Sequence, residues 1–274
     1  WKTGQGFARE NMMRTLPVGA AFGHMLRSTT NNLGFAWQLS WPWILLIAPA
    51  NILATLYGFT LEPRADGSVP EGKVIAIALL VAALTLFAFA SIAVSWHRYV
   101  LLDEVPRGWA RLRADNTVWR YFGNTLLIML VLVAGMVPAM LLTAIPFAMG
   151  NAGAILAVPI YFATVIYGIA AFYRLSVKLP AVALERYDFG LKDAWSITQG
   201  NTWRLFGLAL LFALCVLVIA LLLAGVVYLL EKTGLTFALM LGLSLQIVFN
   251  WIFTIMGVTL LTSLYGFFVE KREF

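Results

Sequence analysis

Few groups in this chain can titrate, ligate or attack. The histidines are His24 and His97, the one cysteine is Cys215, and Asp103 and Glu104 stand together beside Pro106 and Arg107. Two histidines and a cysteine cannot fill the four positions of a structural zinc site, and one cysteine cannot form a disulfide framework. A haem or chlorophyll ligand is conceivable at either histidine. A headgroup-facing or hydrogen-bonded imidazole is the ordinary alternative, since His97 borders a basic segment and His24 lies in a short amphipathic stretch. Asp103 and Glu104 read as a solvated turn rather than an acid–base dyad. The glycine-rich phosphate loop, the nucleophile elbow and the paired-histidine metal motif are all missing in the strand and helix context they require. Cys215 sits among apolar neighbours and is expected to be inert. The chain is therefore expected to be no enzyme and to hold no cofactor or metal.

The remaining polar candidates are amides inside apolar runs. Gln246 and Asn250 are four residues apart, hence on one face of a helix, and Asn51 is expected at comparable depth in another. They are candidates for a polar cavity taking a neutral molecule or a lipid headgroup. The alternative is hydrogen bonding between helices.

The elements that must position these groups follow from composition. Of 274 residues 61% are hydrophobic and 12% charged, with a mean hydropathy of +0.86, which excludes a soluble protein. Spanning a hydrocarbon core takes about 20 apolar residues in helical form. Six runs without Asp, Glu, Lys or Arg meet that length: 33–61, 74–96, 121–147, 153–173, 205–230 and 234–269. Each is continuous rather than alternating, so helices are expected, not barrel strands. The fold class is thus all-α integral membrane with six transmembrane helices, and 1–274 is one membrane domain.

Charge sets the orientation. Threading the six runs leaves 16 of the 19 Lys and Arg residues on one side, with only Arg64, Lys73 and Lys232 on the other. Both termini and the basic side are therefore expected in the cytoplasm of a bacterial inner membrane. With a net charge of +6, the expected acidic partner is anionic phospholipid and not nucleic acid. Residue 1 is Trp, so a start further upstream is expected.

A pattern recurs before alternate spans. The second copy holds Trp109-Ala110-Arg111, Asn116-Thr117 and Trp119-Arg120-Tyr121-Phe122-Gly123; the third holds Trp195-Ser196 and Asn201-Thr202-Trp203-Arg204-Leu205-Phe206-Gly207. The first is blurred, around Asn31-Asn32-Leu33-Gly34-Phe35. Asn32, Asn116 and Asn201 are spaced by 84 and 85 residues. The expected unit is an interfacial elbow helix followed by two spans, used three times over about 18–101, 106–180 and 189–269. In each elbow the asparagine is expected to end one helix and cap the next. Arg27, Arg98, Trp119, Arg120, Arg174, Trp203 and Arg204 are the candidate lipid and interface anchors, with tryptophans at headgroup level and arginines reaching phosphate. Pro180 is expected to stop or kink the helix leaving the fourth span.

Residues 174–181, Arg-Leu-Ser-Val-Lys-Leu-Pro-Ala, and 191–207 together resemble the membrane domain of bacterial glycerophosphodiester phosphodiesterases and its stand-alone six-helix relatives of unknown function. The likeness is densest over 174–211. It implies a fold and no chemistry, because in those two-part proteins the reaction belongs to a separate soluble barrel for which this chain has no room. What remains is an expected accessory, scaffold or assembly subunit associated with another integral membrane protein. The alternative is a lipid-handling or small neutral-molecule transport protein.

Overall fold

The computed structural model describes residues 14–59, 70–105, 112–148 and 150–274. Among those residues there are nine α-helices and no strand: α1 (Val18–Asn31), α2 (Leu33–Leu56), α3 (Gly72–Leu102), α4 (Asn116–Ala148), α5 (Asn151–Ser176), α6 (Lys178–Ala183), α7 (Leu191–Ile197), α8 (Thr202–Lys232) and α9 (Thr236–Phe268). Six of them, α2, α3, α4, α5, α8 and α9, are long and apolar enough to cross a membrane. The protein is a helical, multi-pass membrane protein, as its charge-free runs require.

Four helices, α3, α4, α5 and α8, outrun the apolar stretches that define them. At about 1.5 Å per residue, the 31 residues of α3 and the 33 of α9 extend roughly 46–50 Å, well past a hydrocarbon layer of about 30 Å. Arg98 therefore rides on the last turns of α3 rather than in a loop. Asp103 ends that helix in the left-handed region (φ 54°), its amide donating to the Tyr99 carbonyl at 3.0 Å. Glu185 closes α6 the same way (φ 62°). These two turns fix where the carboxylates of Glu104 and Glu185 emerge.

Short helices precede two of the spans, α1 before α2 and α7 before α8; residues 106–111, ahead of α4, lie outside the described part. The capping expectation is corrected. The Asn32 side chain donates to Ser28 O at 2.8 Å and accepts from the Tyr99 hydroxyl at 2.8 Å. Asn201 occupies the N-cap position of α8 without a capping bond, its carboxamide accepting from Leu16 N at 2.8 Å and donating to Arg14 O at 2.9 Å. At the start of α4 the cap is Asp115, whose Oδ1 accepts from Val118 N at 3.1 Å. The Asn201 carboxamide is instead taken by the backbone of residues 14–16, where it satisfies Leu16 N and Arg14 O. Pro180 follows the break in the helix that leaves the fourth span. Its ring excludes the Ser176 carbonyl four residues back, so α5 ends at Ser176, and Pro180 sits in the first turn of α6, where no amide hydrogen is needed.

Consecutive spans pair as three hairpins, α2–α3, α4–α5 and α8–α9. Both hydrophobic clusters lie toward the end that carries most of the basic residues. One joins Trp43, Trp96, Tyr121, Ile128 and Ile255; the other joins Leu16, Met25, Leu205, Leu260 and Leu264. Toward the far end the helices expose large apolar residues such as Leu141, Ile155, Leu222 and Phe237. Such faces suit a hydrocarbon solvent, in which apolar burial brings helices together only weakly. The hairpins are thus clasped at the basic end and open into grooves toward the far end.

Candidate functional site

At the basic end the arginines divide by environment. Arg98 donates through Nε to Glu104 at 2.7 Å and through Nη1 to Glu185 at 3.1 Å and Ala183 O at 3.0 Å. Arg113 pairs with Glu104 at 3.2 Å and Asp115 at 2.6 Å. The Arg98 hydrogen bond, with the charges of Arg98 and Arg113, holds the Glu104 carboxyl below its ordinary range against the burial that pushes it up. Burial pushes Asp115 up, but hydrogen bonds from Arg113 and the Val118 amide outweigh it and leave that carboxyl low. Asp103 and Glu104 do lie in a turn, yet Glu104 is the hub of an ion-pair network joining α3 to the ends of α4 and α6.

Arg174 is buried, 6% exposed. Its guanidinium lies 3.6 Å over the Trp195 ring, Nε donates to Thr198 Oγ1 at 3.1 Å, and Nη2 donates to Trp195 O at 2.5 Å. Arg98 and Arg174 are thus corrected from headgroup anchors to side chains turned into the protein, because carboxylates and an indole within reach replace water and phosphate. The other candidates are exposed. Arg27 lies on the open face of α1, Arg120 covers the Tyr187 ring at 4.3 Å, and Arg204 donates one bond to Leu16 O at 2.9 Å. Trp203 is 71% exposed, and Trp119 packs one side on Phe87. Arg113, Glu185 and Thr198, which nothing local in the sequence marks, complete this end together with Trp195 of the third repeat copy.

The histidines are structural in geometry. His97 is fully buried, with Nδ1 2.8 Å from Thr262 Oγ1 and Nε2 3.2 Å from the Tyr121 hydroxyl. Thr262 spends its hydrogen on Val258 O at 2.9 Å, so Nδ1 donates to Thr262 and Nε2 accepts from Tyr121. One ring thereby ties α3, α4 and α9. His24, 3.0 Å from Ser263 Oγ, joins α1 to α9; burial, then the charge of Arg27, lowers its pKa.

The three amides are not brought together. Asn51 donates to Ile47 O at 3.0 Å and Thr85 Oγ1 at 3.2 Å, between α2 and α3. Trp37 of α2 meets Trp251 of α9 edge to face, and Asn51 lies 14 residues further along, about 20 Å away in depth. Gln246 and Asn250 instead line a groove of about 400 Å³ between α8 and α9, with Ala220, Ala224, Tyr228 and Glu231 on the opposite wall. Both side chains are exposed, and among the described residues neither makes a side-chain hydrogen bond. A second, apolar region of about 570 Å³ lies between α4 and α5 and ends at Trp195. A third, about 750 Å³, continues from it toward α8 and shares Leu132, Met136 and Gly168 with it.

Residues 25–267 match the model of a domain of unknown function, DUF7847. No curated protein and no solved structure matches the chain. Nothing in these comparisons ties it to the membrane domains of glycerophosphodiester phosphodiesterases.

Proposed function

The chain belongs to DUF7847, a family of domains of unknown function, and from that premise we propose that it serves as a non-catalytic accessory, scaffold or assembly subunit of a larger membrane complex. It sits in a bacterial inner membrane with both termini and the basic end in the cytoplasm, where Arg27, Arg120 and Arg204 meet anionic headgroups. The six-span layout is also that of the phosphodiesterase membrane domains it resembles, which flank catalysis without performing it.

One observation carries this reading: Gln246 and Asn250 are presented on α9 without side-chain partners among the described residues. An amide facing hydrocarbon without a partner is costly, and a helix of another protein satisfies it. Ala220 and Ala224, small and one turn apart on the facing wall, let a foreign helix approach closely. The groove of about 400 Å³ favours a second reading, lipid handling or transport of a small neutral molecule, since ligand sites run to roughly 300–1,000 Å³. The separation of Asn51 from the other two amides weakens it.

A photoreactive residue at Ala224, crosslinked in native membranes, tests both. A protein adduct that disappears in Gln246→Leu/Asn250→Leu supports the subunit reading. Adducts with lipid or small molecules alone overturn it in favour of the second. Copurification of a second membrane protein in mild detergent is expected alongside.

A further inference from the structure

The groove between α8 and α9 carries one acidic group on its wall, the carboxylate of Glu231, and deeper in it the amides of Gln246 and Asn250. Among the described residues no cation lies within ion-pairing distance of Glu231; its neighbour Lys232 lies over the Tyr228 ring at 5.2 Å. The groove thus offers an acid and two amides, and nothing described in the chain answers any of them.

Their spacing is set by the hairpin. At Gly242 a Cβ would meet Val227 Cγ1 at 3.4 Å and Leu230 Cδ1 at 3.9 Å, which fixes how the two antiparallel helices lie alongside each other. Counting inward from that contact brings Gln246 level with Ala224 and Asn250 level with Ala220, both on the facing wall. Glu231 stands seven residues beyond the first level and eleven beyond the second, about 10 and 16 Å along the helix axis. On a straight α-helix, positions i, i+7 and i+11 fall within roughly 20° of one line. A single face of a single helix can therefore meet all three groups.

We infer that the occupant is a transmembrane helix of another protein, with Lys or Arg at the end level with Glu231 and Asn, Gln, Ser or Thr seven and eleven residues further into the membrane. The cation pairs with Glu231, and the two polar side chains bond Gln246 and Asn250, each of which both donates and accepts. Charge complementarity selects the basic end, and the spacing selects the register. The inference rests on the subunit reading and names the chemistry of the subunit's partner. A second copy of this chain does not supply it. Seven and eleven residues in from Lys73 stand Leu80 and Leu84, and from Lys232 stand Gly225 and Leu221, so among the described residues neither lysine of the far end heads such a stripe.

The test uses synthetic transmembrane peptides of leucine and alanine with one Lys near an end, titrated onto the full chain in phosphatidylcholine bicelles and read by energy transfer. In one peptide Asn stands at i+7 and i+11 from the Lys; in the control, of identical composition, Asn stands at i+9 and i+13, on the opposite face. The first is expected to bind about tenfold more tightly, the combined scale of two amide contacts between helices. Gln246→Leu/Asn250→Leu should erase that difference. Exchanging the peptide's Lys for Glu should weaken binding about fivefold, and Glu231→Lys should reverse the preference. Glu231 is exposed near the end of α8, so the reversal leaves the interior unchanged, and the two peptide registers are compared on the unaltered chain. Equal binding of the two registers, or an unchanged preference for Lys over Glu in Glu231→Lys, overturns the inference. A protein adduct at Ala224 whose contacting helix lacks the stripe also overturns it and leaves the subunit reading intact, whereas lipid adducts alone remove the reading on which it rests.

Discussion

Tyr121→Phe deletes one oxygen atom from the interior and tests how the bundle is clasped. In the wild type the Thr262 hydrogen goes to Val258 O, so the imidazole of His97 donates from Nδ1 and accepts at Nε2 from Tyr121. Both His97 and Tyr121 are fully buried. The variant keeps the ring shape and the Thr262 bond but leaves Nε2 without a donor. Hydrogen bonds between membrane helices average about 0.6 kcal/mol and reach about 1.7 kcal/mol, and a buried acceptor left unsatisfied falls toward the upper end. The expected loss is therefore about 1–1.5 kcal/mol, read as equilibrium unfolding in mixed micelles. Tyr167→Phe, at a position 55% exposed, serves as the control and should change stability by less than about 0.3 kcal/mol. If Tyr121→Phe is as stable as the control, the three-helix tie through His97 contributes nothing and the reasoning fails.

Acid should weaken the basic end in a defined window. Glu104 and Asp115 are held below their ordinary values in the fold, so their contribution is complete above about pH 4–5 and is lost as pH falls through the lowered values. Glu104→Gln should flatten that limb of a thermal-stability profile against pH; parallel limbs would contradict the ion-pair account. His24 is also lowered, so as pH drops below about 6.5 the unfolded chain takes up a proton first and stability declines. His24→Gln should remove that earlier slope, and an unchanged slope would refute its origin there. Asn201→Ala should free residues 14–16 and speed limited proteolysis near them, at a cost of about 1–3 kcal/mol for the two orphaned backbone groups. Asn201→Asp should recover part of the loss, because it still accepts from Leu16 N; equal proteolysis in both variants would count against the tether.

The spans were legible because hydrocarbon leaves no freedom: a run of 20 or more residues without charge has few other folds. Their ends were less so. Nothing in Ser95-Trp96-His97-Arg98 says that the helix continues to Leu102, since a charged residue ends an apolar run without ending a helix. Spacing put Gln246 and Asn250 on one face, and both line the groove between α8 and α9. It could not reveal that Asn51 is taken by Thr85, which depends on how α2 meets α3. The arginines show the same limit. Arg120 and Arg174 sit in similar aromatic surroundings in sequence, but only Arg174 has an indole delivered from 21 residues away by the break at Ser176 and the turn into α7. Asn201 was marked by its spacing and assigned the wrong bond, because its partners are nearly 190 residues distant.

Every surface assigned above depends on which side of the bilayer the basic end faces. In a Cys215→Ser background, single cysteines at Lys73→Cys, Lys232→Cys, Lys192→Cys and Lys271→Cys can be probed in intact cells with a membrane-impermeant thiol reagent. The account predicts labelling at positions 73 and 232 without permeabilisation, and at 192 and 271 only after it. Labelling of all four positions from the same side would contradict the six-span threading and the surfaces built on it.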